Sequence, residues 1–262
     1  MDLLQQRRTV LITGGARGIG YRAAELLAAE GARLALVDID LQAVTQAAER
    51  LSAQTGAMAV ALQADIADPS SVAAMAEQAR EKLGPIEILI NSAAVVDDKL
   101  FLESGPADWE RMIRICLMGP MNLIKVFAQP MVEHRFGRII CLASDSARLG
   151  QARLSYYAAA KAGVIALCKS VAQELGGAGI TVNVVSPGAT NTELRQAREA
   201  SLLSQMGPEK YERRQRSVLK MYPVGRIGEP GDIAAMIAFV ASDHASWLTG
   251  QVISVNGGFA MP

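Results

Sequence analysis

The stretch TGGARGIG, residues 13–20, lies between a short apolar run and a helical pattern. Its glycines, Gly14, Gly18 and Gly20, allow a tight turn, close approach of the backbone to a phosphate, and close packing of a helix on a strand. The helix that begins near Ile19 offers free N–H groups and the positive end of its dipole to an anion. A glycine-rich loop alone is a weak signal, because glycines also occur in ordinary turns. The residues around the loop therefore decide its interpretation.

These surroundings predict a dinucleotide-binding site. A strand candidate precedes the loop, a helical pattern follows it, and Asp38 ends the second strand candidate, 18 residues past Gly20. A carboxylate at this position accepts hydrogen bonds from an adenosine ribose and repels a 2′-phosphate. Arg17 acts in the opposite direction, since a guanidinium can pair with such a phosphate. A further alternative is that Asp38 caps the next helix. We predict NAD as the cofactor in preference to NADP.

Strand and helix patterns alternate along the chain. The strand candidates are 9–13, 33–38, 59–65, 86–92, 137–144, 180–186 and 251–255. The helical patterns are 19–30, 41–54, 69–83, 107–134, 155–176 and 230–241. Strands that are apolar throughout, each followed by a helix, predict a parallel sheet covered on both faces, and thus one doubly wound α/β domain over residues 1–262. The segment 189–229 is longer and more charged than the other connections, and an insert of that size is usually functional.

Composition excludes several classes of function. Lys and Arg together number 26, as do Asp and Glu, so no net field favours nucleic acid or an anionic membrane. Residues 1–10 contain no apolar core of signal-peptide length, and no run of 18 residues is predominantly apolar, which predicts no membrane span. The three cysteines, Cys116, Cys141 and Cys168, indicate reduced packing residues, and two histidines are too few for a metal cluster. We expect a soluble cytoplasmic protein that binds no metal.

Two adjacent tyrosines, Tyr156 and Tyr157, come shortly before Lys161. Positions four apart on a helix differ by roughly 40°, so Tyr157 and Lys161 share a face and Tyr156 points elsewhere. An ammonium beside Tyr157 would lower its pKa from about 10, so that the phenol exchanges a proton near neutral pH. Alone, the pair would be better explained as an aromatic and a solvated charge. Ser144, however, closes the fifth strand candidate at the edge where open α/β sheets bind ligands, and its hydroxyl can hold the same substrate oxygen.

Together, these motifs resemble the classical short-chain dehydrogenase/reductase family over essentially the whole chain. They are TGGARGIG, Asp65, NSAA (91–94), Ser144, Tyr157-x-x-x-Lys161 and PGATNT (187–192). The resemblance implies a seven-stranded Rossmann-type fold, NAD(P)-dependent interconversion of a carbonyl and a secondary alcohol, and a homotetramer.

The resemblance also implies roles for individual residues. Ser144 would orient the substrate oxygen, Tyr157 would be the acid and base, and Lys161 would bind the nicotinamide ribose and lower the pKa of the tyrosine. Asp65 and Ile66 would meet the adenine, Asn91 and Ala93 the ribose region, and Gly188, Thr190 and Thr192 the nicotinamide. The full set of predicted cofactor residues is Gly14, Arg17, Gly18, Ile19, Gly20, Asp38, Asp65, Ile66, Asn91, Ala93, Tyr157, Lys161, Pro187, Gly188, Thr190 and Thr192.

The chain departs from the family pattern at two places. NSAA (91–94) replaces the usual Asn-Asn-Ala-Gly, and Cys116 occupies the position of the family's fourth catalytic residue, an asparagine. Asparagine has an acceptor and two donors and can hold a relay water, for which a thiol is a poor substitute. This opens a second hypothesis, a catalytically weak dinucleotide-binding protein with a structural or sensing role. The intact Ser144, Tyr157 and Lys161 favour an enzyme.

The sequence says less about the substrate, for which we predict a small-molecule alcohol or ketone. Residues 193–220 contain seven basic and four acidic side chains, and Arg148 and Arg153 lie between the catalytic candidates. Most such runs are solvated helix faces, and the alternative is an anionic substrate such as a carboxylate or a coenzyme A thioester. ASDSARLG (143–150) and TGQVISVNGG (249–258) are similar to family members that oxidise hydroxyacyl thioesters, including alicyclic ones. Carboxylated or alicyclic alcohols are further candidate substrates. As a function, the alternative is an NADPH-dependent 3-oxoacyl-thioester reductase.

Overall fold

Seven strands form one parallel sheet in a computed structural model that describes residues 7–261. The strands are β1 (Thr9–Thr13), β2 (Arg33–Asp38), β3 (Ala59–Gln63), β4 (Ile88–Asn91), β5 (Gly137–Leu142), β6 (Ile180–Pro187) and β7 (Val252–Val255). Every neighbouring pair is parallel, and the order across the sheet is β3-β2-β1-β4-β5-β6-β7. The predicted fold class, a doubly wound Rossmann-type sheet in a single domain, is confirmed.

The position of the cleft follows from this strand order. After β1 the chain adds β2 and β3 on one side, and then returns to place β4 on the other side of β1. Thr13, the last residue of β1, thus lies in register with Val37 on one side and Asn91 on the other. A crevice opens at the carboxyl ends of the strands where the order reverses, which is where open α/β sheets bind ligands.

Helices cover both faces of the sheet. They are α1 (Gly18–Ala29), α2 (Leu41–Thr55), α3 (Pro69–Leu83), α4 (Pro106–Ile113), α5 (Gly119–His134), α6 (Ser146–Leu149), α7 (Ser155–Leu175), α8 (Glu193–Met206), α9 (Pro208–Leu219) and α10 (Pro230–Ala241). One apolar core joins the sheet to α1, α2 and α10, and a second joins its other face to α3, α5 and α7. This two-sided burial explains why the strands are apolar throughout instead of alternating.

The predicted elements are present in the predicted order, with small differences at their ends. The patterns at 69–83 and 230–241 match α3 and α10 at both ends, whereas the candidates at 59–65 and 137–144 extend two residues past β3 and β5. The segment 189–229 contains α8 and α9, which the sequence analysis left unassigned. That this segment is an insert within the domain that covers the substrate cleft remains a prediction.

One long helical segment qualifies the predicted absence of a membrane span. Residues Pro106–His134 run through α4, a π-helical turn (Arg114–Met118) and α5, and within 7–261 they form the one segment long and apolar enough to span a membrane. The statement that no 18-residue run is predominantly apolar is therefore wrong here. Leu123, Phe127 and Met131 are buried against the sheet, as in the core helix of a globular protein. Residues 1–6, part of the stretch in which we predict no signal peptide, lie outside the described residues.

Candidate active site

The glycine-rich loop lies at the carboxyl edge of the sheet, and two of its glycines, Gly14 and Gly20, have no room for side chains. Gly14 has φ +65°, and a Cβ built on it would lie 2.9 Å from the backbone N of Ala93. A Cβ on Gly20 would lie 2.3 Å from the carbonyl oxygen of Gly14. The loop therefore packs directly on the end of β4 and on the first turn of α1, and leaves the N-terminus of α1 open to a ligand.

A cleft of about 380 Å³ follows this edge, within the usual size range of a ligand site. Most of the predicted site residues line it, and they are Gly14, Arg17, Gly18, Ile19, Asp38, Asp65, Ile66, Ala93, Ser144, Tyr157, Lys161, Pro187, Gly188, Thr190 and Thr192. The cradle of glycines, the open helix end and the polar residues at both ends fit a dinucleotide. That each residue contacts the cofactor remains a prediction.

Two predicted cofactor residues, Gly20 and Asn91, lie one layer behind the cleft surface. Gly20 packs on Gly14, and Asn91 is 1% exposed. The Oγ1 of Thr13 donates a hydrogen bond to Asn91 Oδ1 at 2.7 Å, which ties β1 to β4 where the strand order reverses. Asn91 Nδ2 has no hydrogen-bond partner among residues 7–261. The structure thus gives both residues a part in shaping the cleft.

The sequence analysis missed residues of α8 that complete the cleft wall. Glu193 and Leu194, at the start of α8, line the cleft next to the predicted Thr192. A Cβ on Gly18 would lie 3.4 Å from Glu193 Oε2, so this carboxylate faces the N-terminus of α1. The one signal that pointed there was the unassigned, charged segment after PGATNT.

Asp38 lies at the end of the cleft where the second strand stops. Its Oδ1 accepts a hydrogen bond from the backbone N of Asp40 at 3.3 Å, and Asp40 Oδ1 accepts one from Ala43 N at 3.0 Å. Asp40 is therefore the N-cap of α2, which rules out the alternative that Asp38 has that role. The Asp38 carboxylate and Arg17 line the same cleft. Both predicted effects on a 2′-phosphate, repulsion by Asp38 and attraction by Arg17, therefore apply to one site.

Helix α7 separates the two tyrosines as the helical period predicts. Tyr157 and Lys161 line the cleft. Tyr156 is 6% exposed and packs with Met112, Cys116 and Ala160. Its hydroxyl donates to Asp97 Oδ2 at 3.1 Å, and burial together with that carboxylate raises the pKa of Tyr156 to about 12. The prediction that Tyr156 points away from the cleft is confirmed.

Lys161 is 1% exposed, and a backbone carbonyl orients it. Its Nζ donates a hydrogen bond to the Leu142 carbonyl oxygen at 2.7 Å and lies 5.9 Å from the centre of the Tyr157 ring. Leu142 is the last residue of β5, so the ammonium is held between the catalytic helix and the strand that leads to Ser144. A buried charge needs such a partner, because it has lost its water.

The pKa of Tyr157 does not follow the prediction. Burial raises the pKa of this phenol well above its ordinary value, the neighbouring Cys116 adds to the increase, and a hydrogen bond with Ser144 only partly opposes it. The expectation that Lys161 lowers the pKa is therefore wrong for the protein alone, because loss of water outweighs a charge that is already bonded to Leu142. Burial thus makes the phenolate of Tyr157 harder to form in the protein alone.

Cys116 lies in the π-helical turn, next to the catalytic helix. It is fully buried, and its Sγ donates a hydrogen bond to the Val95 carbonyl oxygen at 3.4 Å. All three cysteines are free and buried. Among residues 7–261, no group of three or more His, Cys, Asp or Glu side chains is placed to hold a metal ion.

Carboxylates of the chain engage the basic side chains near the cleft mouth. Arg153, ahead of α7, and Arg198, on α8, both donate to the carboxylate of Asp98, in the loop after β4. On the same helix, Glu199 pairs with Arg214 at 2.9 Å, which joins α8 to α9.

Two further basic residues have internal partners. Arg195 lies 3.4 Å from Glu199, and Arg148 donates to Ser254 Oγ at 2.8 Å. The arginines with partners inside the protein are therefore already engaged, which weakens the argument for an anionic substrate from the basic residues at 193–220.

The fold and the site together define a Rossmann-type oxidoreductase that acts on CH–OH groups with a nicotinamide dinucleotide. A glycine loop opens onto a helix N-terminus at the switch point of a parallel sheet. Ser144, Tyr157 and Lys161 meet on the other wall of the same cleft.

Comparisons with known proteins identify the family. A family model described as enoyl-(acyl carrier protein) reductase matches residues 14–260. The 3-oxoacyl-[acyl-carrier-protein] reductase FabG of Salmonella typhimurium is 35% identical over 254 residues, which cover 97% of this chain and 98% of that protein. FabG of Chlamydia trachomatis is 33% identical over 99% of this chain and 100% of its own length, and FabG of Staphylococcus aureus is 35% identical over 98% and 100%. The chain belongs to the classical short-chain dehydrogenase/reductase family, as its motifs predicted.

Proposed function

We propose that the protein interconverts 3-oxoacyl and 3-hydroxyacyl thioesters, and that it works as a reductase. The observation that carries the proposal is the meeting of Ser144, Tyr157 and Lys161 in a dinucleotide cleft, in a chain that matches 3-oxoacyl-[acyl-carrier-protein] reductases over nearly its full length. The reductive direction is supported by these relatives, which are named as reductases. The proposal replaces the broader secondary-alcohol activity as our preferred interpretation.

Each catalytic side chain has one task in this reaction. The reduced nicotinamide supplies a hydride to the carbonyl carbon when it is bound. Ser144 donates a hydrogen bond to the carbonyl oxygen and orients it, and Tyr157 transfers its proton to that oxygen as the negative charge develops. Lys161, fixed by Leu142, stabilises the phenolate that remains.

For the cofactor we propose NAD(H). The support is the Asp38 carboxylate, which lines the cleft at the end of β2 and does not cap α2. A 2′-phosphate would meet this charge in a partly buried place, where repulsion is costly. Arg17, on the same cleft, is the residue that would favour NADP(H) if it outweighed Asp38.

For the assembly we propose a homotetramer, as the family resemblance implies. Several large apolar side chains remain on the surface, among them Trp247, which is 96% exposed, and Met118 and Met121 of the 106–134 segment. Contact between copies would remove these side chains from water. The cytoplasmic location remains a prediction.

Turnover with matched tyrosine variants tests the activity. With acetoacetyl-coenzyme A and reduced dinucleotide, the wild-type protein should lower the absorbance at 340 nm. Tyr157→Phe should remove nearly all turnover and leave the Kd of the dinucleotide within a few-fold, because it deletes only the oxygen that carries the proton. Tyr156→Phe, which removes the neighbouring hydroxyl outside the cleft, should keep most of the activity.

Two results would contradict the proposal. If the wild-type protein binds dinucleotide but turns over no 3-oxoacyl thioester, while it does turn over other ketones, the substrate class is wrong. If it turns over no ketone or alcohol at all, the alternative of a dinucleotide-binding structural or sensing protein gains support, and the buried thiol of Cys116 at the asparagine position becomes its physical explanation.

A further inference from the structure

Asp145, the neighbour of Ser144, is a buried carboxylate with three side-chain donors. It is 1% exposed. Its Oδ1 accepts hydrogen bonds from Ser186 Oγ at 2.6 Å and from Ser254 Oγ at 3.0 Å, and its Oδ2 accepts a hydrogen bond from Asn256 Nδ2. Asp145 belongs to ASDSARLG, whereas Ser254 and Asn256 belong to TGQVISVNGG. The two motifs that the sequence analysis connected with the substrate therefore meet on one side chain.

These bonds tie together the carboxyl ends of three neighbouring strands. Asp145 follows β5, Ser186 lies near the end of β6, and Ser254 lies near the end of β7. The backbone N of Asp145 also donates to the Pro187 carbonyl oxygen at 3.1 Å. The network thus links the strand that presents Ser144 to the backbone predicted to lie along the nicotinamide.

Asn256 carries this link to Gly188. A Cβ built on Gly188 would lie 2.9 Å from the Cβ of Asn256, and the backbone N of Gly188 donates to the Val255 carbonyl oxygen at 3.0 Å. The amide of Asn256 has a fixed orientation, because its Nδ2 also donates to the Ala260 carbonyl oxygen at 2.8 Å and its Oδ1 accepts from Gly258 N at 2.9 Å. Its NH₂ group must therefore face Asp145.

This arrangement requires a carboxylate. A carboxylate offers two acceptor oxygens and no donor, which suits two serine hydroxyls on one side and an NH₂ group on the other. An amide in its place would direct its own NH₂ at one of these donors and leave a buried group unpaired. Arg148 donates to the same Ser254 hydroxyl at 2.8 Å, so this serine lies between a positive charge and the buried carboxylate.

We propose that Asp145 is a positioning residue that fixes Ser144, and with it the substrate carbonyl, relative to the Pro187–Gly188 backbone on the nicotinamide side. The proposal rests on the proposed carbonyl reduction, because it concerns the alignment of the carbonyl with the hydride. Hydride transfer needs the reacting atoms in a near-attack arrangement, and a shift of about 1 Å costs up to about 10²-fold in rate.

The test is Asp145→Asn, measured with a ketone or alcohol that the wild-type protein turns over, chosen from a panel that includes 3-oxoacyl thioesters. We expect kcat per dinucleotide-binding site to fall roughly 10- to 100-fold. The Kd of the dinucleotide, from its fluorescence titration, should change less than about threefold, because the phosphate end of the cleft is untouched. The isotope effect from dinucleotide deuterated at the transferred hydrogen should increase, because misalignment slows the hydride step in particular.

A control variant on β6 separates an effect on positioning from an effect on stability. Asn183 of β6 is also 1% exposed, and it bonds the segment just before β7. It donates a hydrogen bond to the Leu248 carbonyl oxygen at 2.7 Å and accepts one from Gln251 N at 3.1 Å. Asn183→Ala should lower the melting temperature and leave the isotope effect at the wild-type value. Asn256→Ala removes one of the three donors, and it should change kcat and the isotope effect in the same direction as Asp145→Asn, but less.

The proposal is wrong if Asp145→Asn keeps the wild-type kcat and isotope effect, or if Asn183→Ala changes the isotope effect equally. If Asp145→Asn does not fold, Asn256→Ala alone decides by the same two readouts. Failure of the wild-type protein to reduce 3-oxoacyl thioesters would count against the proposed substrate only, because the comparison uses whichever panel compound is turned over.

Discussion

Loss of the Asp98 carboxylate should loosen α8 from the rest of the active site. Asp98 receives Arg153 from the loop ahead of the catalytic helix and Arg198 from α8, whose first turn lines the cleft. The three side chains are 14%, 36% and 21% exposed. Burial alone would raise the pKa of Asp98, but the hydrogen bonds and charges of the two arginines lower it. The carboxylate therefore holds three separate chain segments together.

The size of the effect follows from this burial. A hydrogen bond to a charged group contributes about 1.5–3 kcal/mol, and partial exposure reduces each of these two pairs to about 1 kcal/mol. Asp98→Asn keeps the volume but removes the charge. Helix α8 then loses its pair with Asp98, which contributes about 1 kcal/mol to docking, and the loop ahead of α7 loses a similar amount. Since 1.4 kcal/mol corresponds to a factor of ten, the docked state of α8 should become about fivefold less favoured.

Steady-state kinetics would show this as a KM for the carbonyl substrate raised by about fivefold, with a smaller change in dinucleotide Kd. The wild-type KM should also rise with salt, because the pairs are partly exposed, and the variant should lose that dependence. The control is Glu209→Gln, whose carboxylate is 89% exposed and 3.8 Å from Arg213, and it should leave the KM unchanged. An Asp98→Asn enzyme with the wild-type KM and the wild-type salt dependence would refute the argument.

Two further substitutions test the cofactor end and the π-helical turn. Asp38→Ser should narrow or reverse the preference for NAD over NADP, measured as the ratio of the two Kd values. A wild-type protein that already prefers NADP would mean that Arg17 outweighs Asp38. Cys116→Asn should leave turnover per NAD-bound site unchanged or raise it, at a cost of about 1–3 kcal/mol in stability because the site is fully buried. A stable Cys116→Asn protein that binds NAD normally but is inactive would show that the thiol takes part in the chemistry.

The fold was predictable because its signals are local. Strands buried on both faces give continuous apolar runs, as in β1 and β2, and the loop at 13–20 marks the first turn of a dinucleotide fold. Helices α8 and α9 gave no such signal, since ion pairs such as Glu199 with Arg214 join them and only a few of their side chains are buried. Without an apolar stripe, a charged helix looks like any other charged segment.

The same distinction applies to the site. Tyr157 and Lys161 were predictable from the helical period, and Ser144 from its place after a strand. The partners of Asp98 and Asp145 were not, because Arg198 lies 100 residues from Asp98 and Ser254 lies 109 residues from Asp145. Pairing over such separations leaves no periodic trace in the sequence, so the arginines near the cleft looked available for a substrate.

The pKa of Tyr157 shows why a shared helix face does not settle the chemistry of two side chains. Spacing places Lys161 beside the phenol but gives neither the depth of the ring nor the direction of the ammonium. In the structure the ammonium is directed at the Leu142 carbonyl oxygen, and burial of the phenol dominates. Reduction leaves the same phenolate from which alcohol oxidation starts, so a raised pKa is a cost in both directions of the reaction. The raised pKa therefore selects neither direction, and a further positive charge in the cleft would make the phenolate easier to form in both.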